Sequence, residues 1–423
     1  MARIVITTWG SYGDVNPYLG LGTALRSRGH DAVLCMPPFY EPAVRAAGLD
    51  FTPGAPDADP DLDQEMIRRV THPTKSAEII FREVLLPSLP ESHTLLSNAV
   101  RGADLMVSHP TTLAAPIVAE QTGIRWVSTV LAPMNFMSAH DPIIPPMTPW
   151  MRHLPLPVLK RGAPTLASLG RMVGAYWTRP VQEFRRSLGL PPGGNPIFEG
   201  QHAPQGVLAL FSPVLGGPYP DWPPKVTITG QLRYDASFGA TLSDELQQFL
   251  DAGDAPIVFT LGSSVVEVAS GFWDESLDAA RRLGRRAVLL AGRHHAARVR
   301  EIAPASALVV EGAPHSLLFP RAAAVVHPCG MGTTGTALAS GHPQLAVPYA
   351  NDQHDTAWRL TRLGVARTLY PSAYRGVTAA RELSALLLQP EYARRARDVA
   401  DAVAHDRGAD AACDVIEQVL QQR

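Results

Sequence analysis

Cysteine is scarce in this chain: three residues among 423, at positions 35, 329 and 413. An odd count at such wide spacing excludes a disulfide framework and a zinc-ligand pattern. Long apolar runs are missing as well. No stretch reaches bilayer-spanning length, and the opening Ile4-Val-Ile-Thr-Thr8 is too short for a signal peptide and reads as a strand. Basic blocks are absent, and the net formal charge is −2, so nothing would track a nucleic-acid backbone. These gaps lead us to expect a cytoplasmic protein with no membrane span and no nucleic-acid partner. What is present fits a globular chain: 46% hydrophobic and 18% charged residues, with 39 Pro and 34 Gly implying many ordered loops. The length exceeds one ordinary core and suits two domains. Ala- and Arg-rich helices point to a GC-rich bacterial genome.

Strand and helix patterns alternate along both halves, which predicts α/β domains with parallel sheets. In the first half, the strand at residues 4–8 leads into a glycine-punctuated loop, Trp9 to Pro17, and a helix from Leu19 to Arg28. Further strands follow at 31–36, 103–109 and 125–130. The Pro/Gly-rich stretch 212–225 is the best linker. We therefore divide the chain into a first domain (1–211), the linker (212–225), a second domain (226–400) and a helical tail (401–423) packing back toward the first domain. Residues 132–174 carry Met134, Phe136, Met137, Met147, Trp150 and Met151 without a clear period. Such residues suit a lipophilic pocket wall, or equally an ordinary core under a long loop.

The chemistry concentrates in Ala322–Gly341, a buried strand, a glycine-rich turn and a helix opening near Thr333. This order aims free N–H groups and the positive end of a helix at whatever lies over the turn, commonly phosphate. Gly330 and Gly332 let an anion reach the backbone, and Thr333 and Thr334 add hydroxyls. No Lys follows, so the turn is not a P-loop. Gly330-x-Gly332-x-x-Gly335, with Asp352 about 20 residues on, also fits the dinucleotide fingerprint literally. A dehydrogenase usually carries that fingerprint on the first strand–helix turn of its domain, whereas here it comes late. Gly262-Ser263-Ser264 is a second small turn of the same half. In the first half, Asp14 lies beyond the first strand. It either caps the coming helix or serves as a general base taking a proton from an attacking hydroxyl. His109 and His140 are candidates through their loop positions alone. Asp57-Ala-Asp-Pro-Asp-Leu-Asp63 reads as a solvated loop rather than a metal site.

Together these residues make the chain recognisable. His327-x-x-Gly-x-Gly-Thr-Thr334, Gly341-x-Pro-Gln344, Pro348, Asp352-Gln353 and Arg362-Leu-Gly364 resemble the motifs of two-domain GT-B nucleotide-sugar-dependent glycosyltransferases, the family that includes UDP-glycosyltransferases. Gly10-Ser-Tyr-Gly-Asp-Val-Asn-Pro17 resembles the first loop of the branch containing sterol, glycopeptide and rhamnolipid enzymes. Ala203-Pro-Gln-Gly-Val207, Asp221-Trp-Pro, Thr229-Gly and Leu242–Leu250 extend that likeness over nearly the whole chain.

The resemblance implies two facing Rossmann-like domains with a cleft between them, and an inverting transfer from a UDP- or dTDP-sugar to a lipophilic acceptor such as a polyketide, a macrolide or a hydroxyacyl lipid. It implies that His327 and Gly330 to Thr334 bind the diphosphate, with Ser263 and Ser264 near it. Ala313 to His315 would pass the nucleobase, and Asp352 and Gln353 would hold the sugar. Asp14 takes the base position, where many relatives have His, and no second catalytic residue is evident. Tyr12, His109, Met134, Phe136, Met137 and Trp150 are the acceptor-side candidates. No prosthetic group and no metal are expected, and a homodimer is compatible with the sequence. The competing readings are a GT-B nucleotide-sugar epimerase, a non-catalytic nucleotide-sugar-binding partner and an NAD enzyme.

Overall fold

The computed structural model describes residues 1–57, 64–234, 241–265 and 270–422. The acidic run beyond Asp57 lies outside the described residues. The chain forms two parallel sheets, each a doubly wound α/β layer. The first has seven strands: β1 (Arg3–Thr7), β2 (Asp31–Met36), β3 (Asp50–Pro53), β4 (Leu105–Ser108), β5 (Arg125–Val130), β6 (Val207–Ala209) and β7 (Val226–Ile228), in the order β3-β2-β1-β4-β5-β6-β7. The second has six: β8 (Ile257–Thr260), β9 (Ala287–Leu290), β10 (Ala307–Val310), β11 (Ala324–His327), β12 (Gln344–Ala346) and β13 (Ala366–Thr368), in the order β10-β9-β8-β11-β12-β13. The strands read as short apolar runs because both faces are covered; β1, β4, β8 and β11 are buried almost throughout.

Each sheet reverses its winding once, between β1 and β4 in the first and between β8 and β11 in the second. In open α/β sheets the ligand crevice lies beyond the carboxyl ends of strands at such a switch point. The rule selects four loops here: those carrying Asp14 and His109 in the first domain, and those carrying Gly262 and Gly330 in the second.

Three local expectations need correction. The first helix runs Tyr12–Ser27 and so begins seven residues before Leu19. Ser11 caps it, and Asp14 at the third helical position completes a capping box. Residues 156–177 form a 22-residue helix, Leu156–Trp177. Pro155 and Pro157 open it and Pro164 sits inside it, while Leu169, Met172, Val173 and Tyr176 are exposed and blur the periodic signal. Finally, 212–225 does not separate the two sheets, because β7 follows it and still pairs with β6 in the first sheet. The crossing into the second sheet therefore falls after Ile228.

The chain crosses back near its end. The helix Ala409–Gln421 buries Cys413, Ile416 and Val419 in the same core as Ile4, Leu25 and Val127. Arg28 pairs with Asp410, Asp414 and Glu417 on that helix. The outgoing and returning crossings touch: the Gly408 N–H donates to the Thr229 carbonyl at 2.8 Å, and a Cβ on Gly230 would come 2.4 Å from Asp406. Among the described residues, no helix is long and apolar enough to cross a membrane.

Candidate active site

The expected donor side comprises β11 and the helix Met331–Ala339. Gly330 is its N-cap and makes no side-chain cap, so the first-turn N–H groups remain open to a ligand. A Cβ on Gly332 would find its nearest neighbour, the Gly13 Cα, 4.0 Å away. The N-termini of this helix and of Tyr12–Ser27 thus face each other across the cleft, and their positive ends converge. Thr334 is fully buried and its hydroxyl has no partner. Thr333 points toward the β8 turn, 3.6 Å from where a Cβ on Gly262 would stand. The side chains of Ser263 and Ser264 lie outside the described residues, although their backbone forms the short helix Gly262–Val265 beside this turn.

His327 is fully buried at the end of β11. Its Nδ1 accepts the Cys329 N–H at 3.2 Å and its Nε2 lies 2.9 Å from the Gln344 Oε1. Nδ1 is therefore an acceptor, and the ring proton sits on Nε2, pointing at Gln344. Burial brings the imidazole down to about 4, so it is neutral near pH 7. In this conformation both ring nitrogens are engaged by the protein, and the ring holds the turn, in which Cys329 takes a left-handed φ of +69°.

The third glycine of the fingerprint serves packing. A Cβ on Gly335 would fall 1.0 Å from the Gln231 Oε1, and the Gln231 amide donates to the carbonyls of Met331 and Gly332 at 3.0 and 2.9 Å. Gly335 admits a side chain from the interdomain crossing.

Beyond β12, Asp352 is the N-cap of the helix Gln353–Leu363. Burial first, and the negative charge of Asp14 second, raise its carboxyl to about 7. That coupling places the two acids within electrostatic reach across the cleft. The Gln353 Oε1 accepts the N–H groups of Tyr349 and Ala350 at 2.8 and 3.1 Å, which fixes the loop. Ala313 is buried after β10 in one apolar cluster with Ala337 of the helix Met331–Ala339, and the His315 ring stacks on Phe319 at 4.5 Å.

On the acceptor side, the two oxygens of Asp14 have different surroundings. Oδ2 accepts the Ser11 N–H and hydroxyl at 2.8 and 3.0 Å. Oδ1 faces the His109 Nε2 at 3.7 Å. The capping alternative is thus met by Oδ2, and Oδ1 is left turned toward His109. His109 is 6% exposed, and its Nδ1 accepts the Thr111 N–H at 3.1 Å. This bond assigns the ring proton to Nε2, directed at Asp14. The ring edge packs on Tyr18 at 5.7 Å. A second polar residue beside Asp14 was not evident from the sequence; the signal lay in strand order, since Thr7 and Ser108 are register partners.

The other acceptor-side candidates do not gather. Phe136 is 8% exposed and stacks on Trp222 at 4.0 Å and on His202 at 5.8 Å, so it belongs to an aromatic core joining the first domain to 212–225. His140 stacks on Tyr219 of the same stretch. Met134 is half-buried, and Met137, with φ +46°, lies against Gly170. Trp150 is 59% exposed. Tyr12 packs edge-on against Tyr40 at 5.2 Å, and the Tyr40 hydroxyl donates to the Gly10 carbonyl at 2.6 Å.

Residues 274–418 match the family described as erythromycin biosynthesis protein CIII-like, C-terminal domain. The whole chain is 34% identical to O-mycaminosyltylonolide 6-deoxyallosyltransferase of Streptomyces fradiae, covering 100% of this chain and 98% of that protein. Among solved structures, a glycotransferase of kitacinnamycin superposes with a TM-score of 0.75 at 21% identity, covering 99% of both chains. The glycosyltransferase VinC in complex with dTDP gives 0.70 at 20%, also over 99% of both. These two likenesses speak for the fold, and the full-length identity speaks for the family. The chain belongs to the UDP-glycosyltransferase-like family of GT-B glycosyltransferases, and it is an enzyme of that nucleotide-sugar-dependent class.

Proposed function

We propose that the chain moves a sugar from a UDP- or dTDP-sugar to a hydroxyl of a lipophilic acceptor by a single inverting displacement, with Asp14 as the base. The observation that carries this reading is the placement of the outward Asp14 oxygen, backed by His109, opposite an uncapped helix N-terminus. The acceptor hydroxyl passes its proton to Asp14 while its oxygen attacks the anomeric carbon. The bond from that carbon to the diphosphate breaks, and the nucleoside diphosphate leaves. The N–H groups at Met331 to Thr333 and the Thr333 and Thr334 hydroxyls face the charge that grows on the leaving group. His109, whose Nε2 stands 3.7 Å from the outward oxygen, steadies the Asp14 charge across that gap. His327 acts by holding the turn. Gly262 to Ser264 would flank the phosphates, Ala313 to His315 the base, and Asp352 and Gln353 the sugar hydroxyls. The name of the Streptomyces relative, and the dTDP bound to VinC, support a role in antibiotic biosynthesis with a dTDP-linked donor.

Thermal shift against UDP, dTDP, GDP and NADH tests the donor class, because a ligand of the native state raises Tm by mass action. Stabilisation by UDP or dTDP and none by NADH is expected. Stabilisation by NADH alone would return the glycine fingerprint to its dinucleotide reading.

The acid pair gives a pH dependence. The ionised Asp352 carboxylate accepts stronger bonds from sugar hydroxyls than the protonated acid does, so donor affinity should rise as pH passes upward through about 7. In Asp14→Asn the opposing charge is gone, and the midpoint should move to lower pH. An unmoved midpoint in titrations of donor binding would show that the two acids do not sense each other. For stability the sign is opposite. Between roughly pH 4 and 7 the native state keeps a proton that the unfolded chain has released, so this group weakens the fold as pH rises through that window.

A further inference from the structure

The proposed mechanism leaves unused a buried ionic cluster that joins the two domains. Arg359 lies one turn beyond Asp355 on the helix that begins with Gln353, and its side chain is 3% exposed. Its Nε donates to the Asp355 Oδ2 at 2.6 Å, and its Nη1 donates to Asp141 of the first domain and to the Leu215 carbonyl at 2.7 Å. The Ile144 N–H donates to the other Asp355 oxygen at 2.9 Å. Arg362 stands 3.8 Å from Asp141. The residue before Arg359 grips the same segment by apolar contact: Trp358 packs with Ile144 and Leu159, flanked by Met151, Leu154 and Leu156. Arg152 adds a third tie, its guanidinium 4.2 Å above the Tyr370 ring. The Ser138 hydroxyl and the Ala139 N–H both bind Asp221, at 2.7 Å each, so this side of the segment is held by 212–225 instead of by its own sheet.

Buried ion pairs are a poor source of stability, since desolvation consumes most of the attraction. Their use is geometric where they have one, because a buried charge that loses its partner is costly; in this cluster the Arg359 Nε and Nη1 are satisfied and Nη2 has no partner. Here the geometry links Asp141, on the stretch that follows the β5 loop, to a helix whose first residues are the proposed donor-sugar ligands. We propose that Arg359 and Asp141 are positioning residues of the transferase. Their pair makes residues 139–144 travel with Asp352 and Gln353, so this segment of the first domain keeps a fixed offset from the donor sugar when the domains move. This inference rests on the donor and acceptor sides assigned above.

The test uses the full chain with Asp141→Ala, which leaves Arg359 paired with Asp355 and so strands no buried charge, and Arg359→Lys as the conservative variant. Amide exchange of the unliganded protein is read first. In Asp141→Ala, 139–148 should exchange at least tenfold faster while 353–363 and β4 keep their wild-type rates. In Arg359→Lys the rates should stay close to wild type. Next, with dTDP-sugar donor and a hydroxylated macrolide as probes, the ratio of sugar moved to acceptor over sugar lost to water should fall at least tenfold, with stabilisation by dTDP unchanged. Unchanged exchange at 139–148 would overturn the linkage. Equal loosening of 139–148, 353–363 and β4 would reduce the cluster to a stability element and also overturn it. A wild-type protein that dTDP and UDP fail to stabilise would reject the donor reading, and the positioning role with it, even where the exchange data show the linkage.

Discussion

Asp14→Asn should lower kcat by roughly a thousandfold, the middle of the range for loss of a general base, while dTDP or UDP stabilises the variant as it does the parent. The structure explains why Asn is the informative choice. Ser11 donates its N–H to Oδ2, and an amide oxygen accepts that bond equally well, so the capping box survives. The carboxylate charge is lost, and the outward position, the one facing His109 at 3.7 Å, becomes an amide NH2 that cannot take a proton. Asp14→Ala would remove both functions and cost about 1 kcal/mol of helix stability besides, which would confuse the reading. Single-turnover transfer assays with thermal shift alongside separate the two effects. Transfer by Asp14→Asn within a few-fold of wild type would remove Asp14 from the chemistry and leave it as a cap.

Gly332→Val should cost at least a hundredfold in nucleotide affinity, about 2.7 kcal/mol, with little change in the Tm of the free protein. Position 332 is the second residue of its helix, where Val carries a propensity penalty of well under about 1 kcal/mol. A Cβ there meets nothing nearer than the Gly13 Cα at 4.0 Å. The Val side chain would stand beside the first-turn N–H groups, over which the diphosphate would lie. Its methyl groups would cover the N–H groups the anion needs. Gly335 offers the contrast, because a side chain there meets Gln231 first and disturbs the fold before any ligand. Calorimetric titration of dTDP into Gly332→Val decides the matter, and wild-type affinity would move the phosphate site elsewhere.

The alternation of strands and helices made the two parallel sheets readable, and the turn at Gly330 stood out because small and hydroxylated residues cluster there between a buried strand and a helix. Three features were not readable, for separate physical reasons. The Asp14–His109 pair depends on β1 and β4 being neighbours, and sheet order is not written in local sequence. The helix Leu156–Trp177 is masked by prolines at its start and by apolar residues left on its outer face. Phe136 looks like a pocket residue by composition, yet its ring is claimed by Trp222, some 86 positions away in the chain, through a stack that only the folded molecule brings about. Gly335 shows the converse: a motif can be complete in sequence while one of its glycines serves a neighbouring side chain.

The two strands of chain that pass between the domains touch at Thr229 and Gly408. Tethers fixed far apart would hold the halves like the two edges of a drawer and allow only sliding. Tethers fixed side by side act as a single axle. The halves can swing about that point, and the freedom grows with distance from it. Arg359 and Asp141 form a second, non-covalent tie between the same two bodies. A swing that opens the cleft must therefore either break that pair or carry residues 139–144 along with the donor half.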